Sequence, residues 1–272
     1  MIFWIASYPK SGNTWVRLVL INYLNPNQKN IFDNLSLIND YPRMKYFNFL
    51  DKENLELIKK QNENIFKNFT ISQEKLNLNN KINLLKTHSY CGSINNFDFT
   101  NKDNTAGFVY LVRDPRSVVV SLSYHSDCSF EKTVDDMIFE KHTRKNDDET
   151  LSFWSSWRIN YLSWRNKDFP KLIIKYEDLV SNSFNEFKKI LEFFTKFQNF
   201  NVDDKLLIKT LEKCSFNNMK ENENKFGFKE RIGKEKFFRK GENDEWKKVL
   251  SPKLINKIES NFKDEMKELN YL

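Results

Sequence analysis

In MIFWIASYPKSGNTWVRLVLINYL an apolar run ends at Ser7, and Tyr8-Pro9-Lys10-Ser11-Gly12-Asn13-Thr14-Trp15 separates it from a helix-like stretch. A strand that stops at Ser7, turns through Pro9 and Gly12 and restarts as a helix near Asn13 aims free backbone N–H groups at one point. Such a helix start attracts anions, and Lys10 adds a full positive charge beside it. The order differs from the nucleotide loop G-x-x-x-x-G-K-[ST], because Lys10 comes two residues before the glycine and Thr14 two after it. The loop is too short to wrap a triphosphate in that way, and a smaller phosphate group fits better. On these residues alone, a plain strand-turn-helix corner with a surface lysine stays open as an alternative.

Four segments read as buried strands: 2–7 (IFWIAS), 82–86 (INLLK), 107–112 (GFVYLV) and 171–175 (KLIIK). Helical patterns separate them, which argues for an α/β chain with a central parallel sheet flanked by helices. Ligands of such sheets bind beyond the carboxyl ends of the strands. The four strands are followed by Tyr8-Pro9-Lys10-Ser11-Gly12, Lys86-Thr87-His88, Arg113-Asp114-Pro115-Arg116 and Tyr176-Glu177-Asp178. Three of these bring basic side chains to one edge. Residues 115–125 read as a helix with Pro115 in its first turn. Residues 151–166 read as a helix with Trp154, Trp157, Tyr161 and Trp164 on one face, a stripe that suits the core better than a binding site. Residues 225–249, with Gly227, Gly233 and Gly241 among many charges, read as a long ligand-covering loop. His88 leaves a strand end directly beside basic residues, whereas His125 and His142 fall in helical patterns where structural or solvent roles are expected.

The 272 residues suit one α/β domain with insertions, spanning 1–272, and show no linker or repeat. The net charge of +7 allows nucleic acid, an acidic membrane surface or a small polyanion as partner. The lysines are interspersed with Asp, Glu and Asn, as in DKENLELIKKQNENIFKNF, with no long basic block, which favours the small polyanion over nucleic acid. Cys91, Cys128 and Cys214 are odd in number and widely spaced, suggesting neither a disulfide framework nor a zinc site. No basic leader and no run of the ~18 apolar residues of a membrane span is present, so a soluble, cytoplasmic protein is expected.

With these strand ends assembled, the sequence resembles the PAPS-dependent sulfotransferase superfamily, the cytosolic-type and bacterial enzymes. YPKSGNTW resembles its 5′-phosphosulfate loop, VRDPRSVVVSLSYH its 3′-phosphate motif and FFRKGENDEW its late lid segment, while KTH and KYEDL resemble two further signatures in the same order. The resemblance implies a P-loop-like fold and sulfuryl transfer from 3′-phosphoadenosine-5′-phosphosulfate (PAPS) to a hydroxyl or amine of a small acceptor. The product nucleotide would be adenosine 3′,5′-bisphosphate (PAP), and no metal is expected. It implies that Ser11, Gly12, Asn13 and Thr14 bind the 5′-phosphate, Asn13 standing where the family has Thr. Lys10 would meet the bridging oxygen, where transfer builds charge. Trp15 would stack on adenine, with a core aromatic as the alternative. Arg113 and Ser121 would hold the 3′-phosphate under a lid of Arg239, Lys240 and Gly241. Tyr176 and Phe216 match adenine-pocket positions, and Cys214 stands where many relatives have Thr. His88 would be the general base, helped by Lys86, which would also hold sulfate oxygens. The sequence departs from the pattern at Asp244, in place of a second Gly, and at Glu245, in place of Asp, which puts the lid geometry in question. A P-loop-type nucleotide or small-molecule kinase, with Asp114 as a possible metal-holding acid, and a non-catalytic nucleotide- or nucleic-acid-binding module are the competing readings. The acceptor and the oligomeric state are not specified. Residues 30–80, 89–100 and 126–150 would line the acceptor pocket, with Tyr46, Phe47 and Phe49 as wall or core.

Overall fold

The computed structural model describes residues 1–60, 62–140, 144–145 and 151–272; His142 lies outside them. Five parallel strands form one sheet: β1 (Ile2–Ser7), β2 (Asn39–Asp40), β3 (Asn83–Thr87), β4 (Thr105–Val112) and β5 (Lys171–Lys175), in the order β2-β3-β1-β4-β5. The four strands expected from sequence are present, β4 beginning two residues earlier and β3 lying one residue later. The edge strand β2 is additional; its two residues pair with Leu85 and Lys86 and are too few to show any alternation.

The position of β1 follows from its composition. All six of its residues are buried, because neighbouring strands flank it and layers cover both faces. Ile2, Trp4 and Ala6 enter one core with Phe99, Tyr161 and Trp164, and Phe3 and Ile5 enter the other with Ile190, Leu191 and Phe194. A continuous apolar run is what a strand buried on both faces requires, each such side chain contributing about 1.5–3 kcal/mol. The Trp4 indole N–H donates to Thr105 Oγ1 at 3.0 Å, so its one polar atom is satisfied in the core.

The helices that position the site are α1 (Asn13–Leu24), α2 (Pro115–Ser126), α3 (Trp157–Arg165), α4 (Tyr176–Ser181) and α5 (Phe216–Phe226). Pro115 opens α2, whose cap Asp114 accepts the Arg116 N–H. The expected helix over 151–166 is shorter. It starts at Trp157, because the Ser156 hydroxyl accepts the Ile159 N–H and caps it. Trp157, Tyr161 and Trp164 are core residues, and Trp154, which precedes the helix, belongs to the same core and also lies on a cavity wall. Phe47 is fully buried, with Tyr46 and Phe49 packed against the same core, and none of the three lines that cavity.

Beyond α5, residues 227–245 form neither helix nor strand. Glu223 holds this stretch by accepting the Phe237 and Phe238 N–H groups at 2.7 and 2.9 Å, and Phe228, Phe237 and Phe238 pack together. Among the described residues no helix is long and apolar enough to cross a membrane.

Candidate active site

The loop between β1 and α1 turns through two left-handed residues, Lys10 at φ 64° and Gly12 at φ 95°. Gly12 is needed twice over: its conformation disfavours a side chain, and a Cβ there would stand 2.6 Å from the Tyr176 ring. The Asn13 side chain staples the helix start to the strand end, its Nδ2 donating to Ile5 O at 3.0 Å and Ser7 Oγ at 3.2 Å. Arg113, at the end of β4, donates to Lys10 O at 3.1 Å and lies 4.2 Å from the Tyr176 ring centre. Ser11 Oγ, Arg17 Nε and Arg113 Nε are buried with no hydrogen-bond partner among the described residues. Buried donors normally have partners, so this cluster suits an anionic ligand.

At the end of β3, His88 Nδ1 is 2.9 Å from Ser7 O and 3.1 Å from Ser7 Oγ. A carbonyl can only accept, so Nδ1 carries the proton and the neutral ring has Nε2 as its basic nitrogen. Burial and then the charge of Lys86 lower the His88 pKa to about 3, which keeps the imidazole neutral near pH 7. Lys86 itself is paired with Asp40 of β2 at 3.0 Å. Lys10 lies 3.7 Å above the Phe237 ring, and burial, opposed by Glu230 but reinforced by Arg113 and Lys86, lowers its pKa to about 7.

One cavity of about 760 Å³ connects these groups, a size suited to ligands of nucleotide scale. Of the catalytic and nucleotide-binding residues that the resemblance implied, all line it except Ser11: Lys10, Gly12, Asn13, Thr14, Trp15, Lys86, His88, Arg113, Ser121, Tyr176, Phe216, Arg239, Lys240 and Gly241. Trp15 is on the cavity wall and packed into the fold at once. It faces the cavity, yet its indole donates to Cys214 O at 3.0 Å and packs edge-on against Phe187. Cys214 is fully buried and contributes only that carbonyl.

The late loop closes the cavity over α2. Arg113 donates to Glu242 O at 3.3 Å, and Ser117 donates to Asn243 O at 2.5 Å. Arg239 forks onto both oxygens of Glu245, and Lys240 reaches the same carboxylate at 2.9 Å. Burial disfavours the charge on Glu245, but hydrogen bonds from Arg239 and Lys240 outweigh it and its pKa falls. Asp244 is exposed, pairs with Lys247 at 3.0 Å and has no positive φ, so the glycine expected there from the resemblance is not required by the backbone.

Sequence reasoning missed Glu230, Arg17 and Asp40, all on the cavity wall. Thr14 Oγ1 donates to Glu230 Oε2 at 2.9 Å, and Arg17 Nη1 donates to Glu230 Oε1 at 2.6 Å. Nothing in GFKERIG marks Glu230; for Arg17, its place three residues after Thr14 on the same helix face was the available signal.

A family model described as a sulfotransferase domain matches residues 2–270. The chain belongs to the sulfotransferase family. Cytosolic sulfotransferase 10 of Arabidopsis thaliana is 25% identical over 274 residues, covering 97% of this chain and 77% of that protein. Among solved structures, retinol dehydratase in complex with retinol and PAP superposes with a TM-score of 0.63 at 20% identity, covering 98% of this chain and 81% of the other. A mouse sulfotransferase complexed with PAP superposes at 0.60 with 21% identity, covering 97% and 84%. Both likenesses are of fold. As a sulfotransferase the chain is an enzyme of the transferase class, and the contacts of Asp114 agree. Asp114 caps α2 and binds the Arg116 guanidinium, which also reaches Glu259 at 2.6 Å, so the acid considered for metal in the kinase reading is already committed.

Proposed function

We propose that this sulfotransferase moves a sulfuryl group from PAPS to a hydroxyl or amine of a small acceptor, with His88 as general base. The observation that carries the reading is the His88 ring: its Nδ1–H is fixed on Ser7 O, and the imidazole is neutral on the wall of the cavity that Lys10 and Lys86 also line. A base must be unprotonated at the working pH and held in one orientation, and the neutral ring with its Nδ1–H on Ser7 O supports both. The donor supplies an activated sulfuryl group and two anionic ends. Ser11, Thr14 and the α1 N-terminus suit one end, and Arg113, Ser121, Arg239 and Lys240 suit the other. The orphaned buried Nε of Arg113 on the cavity wall supports that fit. Lys10 and Lys86 stabilise negative charge that develops during transfer. Trp15, Tyr176 and Phe216 offer faces and edges for a planar base. PAP-bound structures of the two fold relatives agree with this choice of nucleotide. The free thiols of Cys91, Cys128 and Cys214 and the cytosolic naming of relatives support a cytoplasmic setting.

The test is transfer of label from labelled PAPS to a panel of alcohols, phenols and amines, with calorimetry of PAP and adenosine 5′-monophosphate beside it. Transfer, and tighter binding of PAP than of the monophosphate, are expected. Equal binding of both nucleotides, or transfer from ATP with magnesium and none from PAPS, overturns the reading.

A further inference from the structure

We propose that Glu230 is an internal competitor of the sulfuryl donor: in the free protein its carboxylate holds the Thr14 hydroxyl and the Arg17 guanidinium, and a bound 5′-phosphosulfate displaces it. The inference rests on the donor reading above but concerns a residue outside the motifs that gave that reading. Thr14 Oγ1 has one proton, and that proton is donated to Glu230 at 2.9 Å. A phosphate oxygen and Glu230 cannot both accept it. Arg17 cannot follow one anion and leave the other, because its Nη2 is anchored on Ile38 O at 2.9 Å and Leu35 O at 3.3 Å.

Electrostatics make the exchange balanced. Lys10, Arg17, Lys86 and Arg113 bring positive charge to this wall of the cavity, and a buried guanidinium without a counter-charge is unfavourable. Glu230 supplies the counter-charge in the free protein. Burial works against its ionised form, yet Arg17 and Lys86 outweigh burial and hold its carboxyl well below the usual range. A phosphosulfate at the same place supplies the counter-charge in the complex, and two anions sharing one hydroxyl repel. Glu230 is also able to leave. It sits in the 227–245 stretch, which has no helix or strand to break, three residues after Gly227, whose Cβ position is open for 4 Å around. The carboxylate therefore sets donor affinity through the work of its own displacement.

Calorimetry of PAP on the full chain and on Glu230→Gln tests this. Glutamine keeps one acceptor oxygen, which can serve Thr14 or Arg17 but not both, and removes the charge, and PAP is expected to bind about tenfold tighter. A structural brace predicts the opposite or no change, so equal or weaker binding by a folded Glu230→Gln overturns the inference. Thermal melting checks folding. If Glu230→Gln does not fold, Glu230→Asp keeps the charge opposite Arg17 while falling one methylene short of Thr14, and PAP is expected to bind it about threefold tighter; equal or weaker binding is again fatal. A double-mutant cycle separates competition from bracing. Thr14→Val is expected to cost more PAP affinity in the Glu230→Gln background than in the native one, because in the native chain it also loosens the competitor; additive losses overturn the inference. If neither the native chain nor the variant binds PAP, the donor reading itself falls and takes this inference with it. Binding by the native chain with no gain in the variant removes only the role of Glu230.

Discussion

Lys10, His88 and Arg113 stand just beyond the carboxyl ends of three adjacent strands, whereas Glu230, Arg239 and Lys240 stand on a stretch without helix or strand. In the first half, backbone hydrogen bonds of the sheet fix where each side chain begins, and single contacts finish the job: Ser7 O for His88, Asn13 for the helix start, Lys10 O for Arg113. In the second half, position depends on side-chain pairs, Glu230 with Arg17 and Glu245 with Arg239. Arg239 and Lys240 of the loop half already share the Glu245 carboxylate, while the strand half keeps unpaired buried donors. The difference teaches where binding strength should come from: the strand half offers preorganised donors, and under the proposed competition the loop half would exchange an internal anion for an external one.

The hardest test of that division is His88→Ala. Removing a positioned base lowers kcat by roughly 10²–10⁴-fold, and PAP binding and melting temperature should be nearly unchanged because the ring makes no contact assigned to the nucleotide. Lys10→Ala should lower kcat and weaken PAP together, since in the proposed reading Lys10 would face the donor in both ground and transition states. An aliphatic alcohol is the acceptor to use, because an acidic phenol attacks as its own anion and hides the base. Near-normal turnover by His88→Ala would remove the base from the strand half.

Second in size is the contrast between two arginines. Arg113 is 7% exposed and has a donor to spare, so Arg113→Ala should weaken PAP by about 1.5–3 kcal/mol while leaving adenosine 5′-monophosphate little changed. Arg239 is already satisfied by Glu245, and its exchange of partners yields less: Arg239→Ala should cost PAP under about 1 kcal/mol. Calorimetry of both variants with both nucleotides decides; equal losses would mean that loop and strands are organised alike.

How far the sequence could be read follows the same division. Strand-end residues were legible because a buried parallel strand writes itself as an apolar run, and whatever follows the run stands at the ligand edge; Lys10, Lys86, His88 and Arg113 were found in that way. β2 was invisible, since two residues carry no period, and with it went Asp40, the partner of Lys86. Trp154 was assigned to a helix because aromatic spacing continued across Ser156, a cap whose preference is local and overrides the stripe. Glu230 could not be found at all. Its role depends on how residues 227–245 fold back on α1, a tertiary arrangement held by Glu223 and an aromatic cluster that no short pattern records.

A smaller effect concerns pH. The Lys10 pKa is lowered to about 7 in the free protein, and a bound phosphate raises it again, because an opposite charge favours the ammonium form. Below pH 7 Lys10 is charged with and without ligand and contributes no slope. Above pH 7 the free protein loses the proton and binding must restore it, so PAP affinity should fall by up to about tenfold per pH unit until the pKa of the complex is reached. His88, held at about 3, titrates outside that window. Calorimetry from pH 7 to 9 in buffers of different ionisation enthalpy should show proton uptake on binding. A flat affinity with no uptake would mean that Lys10 stays protonated in the free strand half.

The smallest effect tests the loop half where it departs from the family pattern. Asp244 stands in place of a glycine, yet its backbone is not left-handed, its side chain is 69% exposed, and it forms an ion pair with Lys247 in the next turn. An exposed pair of this kind is worth under about 1 kcal/mol, and the extra freedom glycine gives the unfolded chain costs a similar amount in the same direction. Asp244→Gly should therefore change melting by no more than a few degrees and PAP affinity by less than about threefold. Gly12→Ala is the control from the strand half. There a Cβ meets Tyr176 at 2.6 Å and φ is 95°, so the same exchange of glycine and side chain should disrupt the loop and PAP binding with it. Should Asp244→Gly tighten PAP strongly, the charge at Asp244 would join Glu230 as a second internal anion opposing the nucleotide, and the loop half would be more heavily self-neutralised than its hydrogen bonds show.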